Sequence, residues 1–184
     1  MAVTLYGIGS GILAVAVLIA VISIVLTSWK NGISPMPSSA YVRRAVIAKI
    51  NEVTEPGLLV EAGSGWGTLA FDVSKNTKGW QIVGIENSSI PLWVSRLLVR
   101  FSQQKNVTFV RGDLYNYPYT NANVVLCYLY PGAMKSLSNI LYEQLTPESM
   151  VISICFALPD WQPDEIITCR DMYRTKIYVY RNSV

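Results

Sequence analysis

Val60–Ala70 (VEAGSGWGTLA) sets the tightest limit on how this chain can fold. Leu58–Glu61 (LLVE) is a short apolar strand that runs into Gly63-Ser64-Gly65-Trp66-Gly67, and Thr68–Val73 opens a helix. A strand that ends in glycines and begins a helix points backbone N–H groups at a ligand. A side chain at Gly63 or Gly65 would block that approach. A lone glycine-rich turn needs no ligand, so the rest of the chain must decide.

The rest repeats the same alternation. Ser38 or Ser39 is placed to cap a helix carrying Val42, Ala45, Val46 and Ile50. Strands are expected at Gln81–Glu86, Val107–Val110, Asn123–Tyr128 and Met150–Ala157. Helical spacing recurs in Pro91–Phe101 and Ala133–Gln144. Glu165–Cys169 and Lys176–Arg181 read as an antiparallel closing pair. Strands alternating with helices predict an α/β fold with a mostly parallel sheet covered on both faces.

The spacing of the turn separates two nucleotide-like ligands. Dinucleotide sites use G-x-G-x-x-G. This chain has G-x-G-x-G, with Thr68 where the last glycine would stand. Glu61, two positions before the first glycine, would repel a pyrophosphate. S-adenosylmethionine (SAM) has no phosphate and carries an ammonium and a sulfonium, which a carboxylate suits. Glu86 ends the second strand about twenty residues past the glycines, the usual place for a ribose-binding acid. Asn87 follows it, and Asp113 and Leu114 end the third strand.

The glycine turn resembles the first motif of class I SAM-dependent methyltransferases, E/D-x-G-x-G-x-G. Three further segments sharpen the resemblance: Pro35-Met36-Pro37-Ser38, Gly112-Asp113, and the Tyr128–Pro131 end of strand four. Together they are similar to membrane-anchored lysine methyltransferases of the ATP-synthase c-subunit and adenine nucleotide translocase, and to their bacterial relatives. The resemblance implies a Rossmann-like class I sheet and SAM as cofactor. It implies that Glu61, Gly63, Ser64, Gly65, Gly67, Glu86 and Asn87 bind that cofactor, with Asp113 accepting from the adenine amino group and Leu114 lining the base. The end of strand four then faces the methyl group. Glu61 and Trp66 stand where animal members carry aspartates.

Leu5–Thr27 carries no charge and is built almost entirely of Ala, Val, Ile, Leu and Gly. About 20 helical residues cross a bilayer core. Met1–Tyr6 has no basic side chain, and Ile24–Leu26 is no cleavage site, so the segment reads as an anchor rather than a signal peptide. Lys30, Arg43, Arg44 and Lys49 all follow the span, which orients the catalytic domain to the cytoplasm. The expected division is a transmembrane anchor over residues 1–29, a linker over 30–40 and a catalytic domain over 41–184.

With no histidine in the chain, Ser-His-Asp hydrolysis, Cys-His catalysis and His-ligated metals are excluded. Cys127, Cys155 and Cys169 lack metal-ligand spacing, so no metal is expected. Net charge is +3 with scattered basic residues, and no nucleic-acid module is visible. Tyr128 and Tyr130 are the candidate catalytic residues, as walls of an aromatic slot for an amine. Pro159, Asp160 and Trp161 are candidates for the other wall, though ordinary packing suits Trp161 as well. The acceptor read from the resemblance is a lysine on a membrane-associated protein. A small molecule or lipid amine is the alternative acceptor, and a non-enzymatic SAM-binding membrane protein the third reading.

Overall fold

The computed structural model describes residues 2–31 and 36–181. The chain divides into two compact units, Met1–Pro35 and Met36–Val184. The first contains one helix, α1 (Ala2–Asn31). Its Gly9–Leu26 stretch has a mean hydropathy of 2.7, and none of it is buried. By length and composition this helix is able to cross a membrane. The linker expected over 30–40 falls partly on 32–35, outside the described residues.

The second unit begins with α2 (Ala40–Ile50). Ser39 caps it, its Oγ accepting from Val42 N at 3.3 Å. There follow β1 (Leu58–Ala62), α3 (Thr68–Asn76), β2 (Gln81–Glu86), α4 (Ser89–Phe101) and β3 (Val107–Arg111). The chain closes with β4 (Val124–Cys127), α5 (Pro131–Gln144), β5 (Met150–Ile154), β6 (Glu165–Thr168) and β7 (Lys176–Arg181). The seven strands form one sheet in the order β3-β2-β1-β4-β5-β7-β6. Strands β1 to β5 pair in parallel. β7 lies antiparallel to both β5 and β6. β6 therefore runs with the parallel strands, and the 169–175 hairpin lies at the same sheet edge as the turn after β1.

Alternating side chains along the strands fill two cores, as a sheet buried on both faces requires. Leu59, Ile82, Leu126 and Ile152 face α2, α3 and α4, packing with Val46, Ile50, Val73 and Leu92. Val60, Ile85, Val125 and Val151 face α5, packing with Met134, Leu137 and Leu141. α2 is fixed at both ends. Arg43 Nε pairs with Asp72 Oδ2 of α3 at 2.5 Å. The buried Lys49 ammonium pairs with Glu52 at 2.7 Å and Glu165 of β6 at 2.5 Å.

Candidate active site

Strand order reverses between β1 and β4, and open α/β sheets bind ligands at the carboxyl ends of the strands where this happens. The chain places the glycine turn and Tyr128 there. Gly63, Gly65 and Gly67 adopt φ of 74°, 52° and 72°, a region that costs other residues strain. Ser64 N donates to Ile85 O and Gly67 N to Ser64 O, both at 2.8 Å. A Cβ at Gly63 would lie 2.7 Å from Leu129 Cδ2, and one at Gly67 2.5 Å from Phe109 Cζ. The turn is thus held by side chains of β3 and of the segment after β4.

Both expected carboxylates are buried beside this turn. Glu61 Oε2 accepts from Ala70 N at 3.1 Å. Gly67, the N-cap of α3, offers no side-chain acceptor, so Glu61 supplies one from the neighbouring strand. Burial pushes the Glu61 carboxyl up to about 8, the Ala70 N–H opposes this, and the nearby Glu86 adds to it. Glu86 Oε2 accepts from Gly65 N and its Oε1 from Ser88 N, both at 2.7 Å. One carboxylate therefore joins the glycine turn to the start of α4. Asn87 adjoins this bridge, its Oδ1 3.2 Å from Ser88 Oγ.

Asp113 is exposed. Its carboxylate accepts from Tyr115 N at 3.0 Å and Asn116 Nδ2 at 3.2 Å, closing its own turn. Leu114 reaches the glycine turn, with Cδ2 3.7 Å from the Cβ position of Gly63. Tyr128 and Tyr130 do not share one wall. Tyr128 packs on the core under α2 and α3, Tyr130 on the core under α5. Tyr130 lies over Gly132, whose Cβ position is 2.7 Å from its ring. Burial, then Cys155 and Asp171, raises the Tyr128 hydroxyl above its ordinary range, so it remains a neutral phenol near pH 7. Trp161 packs edge-on against Tyr142 and Tyr180, at 6.2 and 5.9 Å between ring centres. Its ring is thereby engaged between α5 and β7.

Several contacts around the turn were beyond local reading. Leu129 sits inside the Tyr128–Pro131 segment, but only the fold brings it over Gly63. Phe109 and Ser95 lie under Gly67 with no motif to mark them.

The turn, the two buried carboxylates and the strand-four end coincide with a known domain. The ANTKMT methyltransferase domain matches residues 61–165, more than half of the chain. The chain belongs to this family. As an ANTKMT-family protein it is a SAM-dependent methyltransferase. A protein-lysine N-methyltransferase of Saccharolobus islandicus is 26% identical over 152 residues, covering 79% of this chain and 90% of that protein. A carboxy-S-adenosyl-L-methionine synthase of Wolinella succinogenes is 27% identical over 115 residues; the match covers 59% of this chain and 48%, about half, of that protein. An RNA methyltransferase of Salinibacter ruber, solved with S-adenosyl-L-homocysteine, superposes with a TM-score of 0.71 and 28% identity, covering 80% of this chain and 94% of that one.

The residues present fit SAM. Among the described residues Ser64 Oγ is buried in the turn without a hydrogen-bond partner, and Glu61 and Glu86 bring acceptors beside it.

Proposed function

We propose that this ANTKMT-family enzyme methylates lysine side chains of membrane-associated proteins at the cytoplasmic membrane surface. The carrying observation is the match to the S. islandicus protein-lysine N-methyltransferase over 90% of that protein. α1 supports the membrane half of the reading: it serves as anchor (residues 1–29), residues 30–40 as linker and residues 41–184 as catalytic domain.

In this reading Glu61, Gly63, Ser64, Gly65 and Gly67 hold the methionyl end of SAM. Glu86 and Asn87 take the ribose, exchanging the Gly65 and Ser88 N–H groups for hydroxyls. Asp113 and Leu114 border the adenine. SAM supplies a methyl group already activated by its sulfonium. The chain must align an acceptor with it and exclude water.

A lysine acceptor must first lose a proton. Its unperturbed pKa near 10.4 makes this cost about 4.6 kcal/mol at pH 7. Desolvation against the half-buried Tyr128 lowers that cost. As a neutral phenol Tyr128 cannot be the base; its oxygen accepts from an amine N–H and fixes the nitrogen lone pair. Tyr130 closes the α5 side of the same strand end. The proton leaves to solvent.

The test is mass spectrometry of membrane proteins, lipids and RNA from cells with and without this chain. Lysine methylation of a membrane protein should disappear with the chain. If a methylated lipid or RNA disappears instead, the lysine reading is wrong.

A further inference from the structure

We infer that the tip of the β6–β7 hairpin is a second membrane contact, which docks on anionic lipid headgroups and turns the active-site edge toward the bilayer. The inference rests on the reading of α1 as an anchor.

The tip is Arg170-Asp171-Met172-Tyr173-Arg174. Met172 is 88% exposed and Tyr173 84%, although both carry large apolar bodies. The flanking Arg170 and Arg174 are exposed, and neither is in an ion pair among the described residues. The single acid between them is committed inward. Asp171 Oδ1 accepts from Thr175 N at 2.7 Å, and Oδ2 from Thr175 Oγ1 at 2.6 Å and Ser39 Oγ at 3.3 Å. What the tip offers outward is therefore cationic, aromatic and apolar. That combination suits the interfacial zone of a bilayer with acidic lipids, where tyrosine sits at headgroup level and arginine meets phosphate.

The Ser39–Asp171 bond adds a second patch to the same rim. It ties the hairpin to the segment that enters α2, where Met36 is 68% exposed and Tyr41 53%. The hairpin also lies at the sheet edge that bears the glycine turn and Tyr128. Docking the tip consequently faces the catalytic edge to the lipid surface.

The test uses the full chain in vesicles of phosphatidylcholine with phosphatidylserine. Cys155→Ser carries a fluorophore at Met172→Cys or, as a control, at Lys105→Cys before β3 on the opposite sheet edge. Nitroxide-labelled lipid should quench the probe at 172 several-fold more than the probe at 105. Arg170→Glu with Arg174→Glu, or omission of phosphatidylserine, should weaken that quenching while flotation with the vesicles persists. Flotation with equal quenching at both positions would overturn the docking and leave the anchor standing. A chain that does not float would overturn the anchor reading, and the docking with it.

Discussion

Glu61 has a structural task that the fold shows, beside the cofactor contact proposed for it. Its carboxyl caps α3 from a strand, and burial holds its proton up to about 8 instead of the ordinary 4.5. The unfolded chain releases that proton near 4.5 while the folded chain keeps it. Between about 4.5 and 8 the folded state therefore binds more protons, and stability falls as pH rises, levelling above 8. The drop is on the order of 5 kcal/mol for a fully buried group. Glu61→Gln should flatten this decline in urea titrations of the apoprotein across that window. An identical slope in both proteins would mean that Glu61 is not the source. Legibility at this scale was uneven. The placement of Glu61 and Glu86 beside the glycine turn was readable because strand-end positions are set by sequence spacing. That Asp113 closes its own turn with Tyr115 N was not, because a short acid that ends a strand looks the same whether its oxygens point to a ligand or to its own backbone.

At the scale of elements, every strand and helix expected within Met36–Val184 exists, with ends shifted by a few residues. Periodicity read them well because most buried positions alternate along strands or recur along helices. Periodicity gives out where the strands end. Tyr128 and Tyr130 are two apart, yet the strand stops at Cys127, and the chain between them turns into α5, which sends the rings to different cores. The Ser39–Asp171 bond joins residues 132 apart and leaves no local signal. The turn from β1 into α3 is the element most sensitive to substitution. Gly67→Ala combines φ of 72° with a Cβ 2.5 Å from Phe109 and 2.7 Å from Ser95. It should cost at least about 1–3 kcal/mol, read as a lowered urea midpoint. A midpoint unchanged from the parent would show that the turn relaxes without loss.

For the whole molecule, the arrangement of charge around α1 gives the proposal a direction. Lys30, Arg43, Arg44 and Lys49 follow the apolar stretch, so in the proposed reading the catalytic domain is cytoplasmic. Protease added to intact cells should leave the domain whole, and permeabilised cells should lose it. Digestion from outside would reverse the topology. The reversed direction of β7 has a practical consequence. Its last residue, Arg181, pairs with Met150, the first residue of β5, so β7 ends at the sheet edge away from the glycine turn. A fluorescent protein or affinity handle fused behind β7 would leave the sheet at the edge opposite the glycine turn.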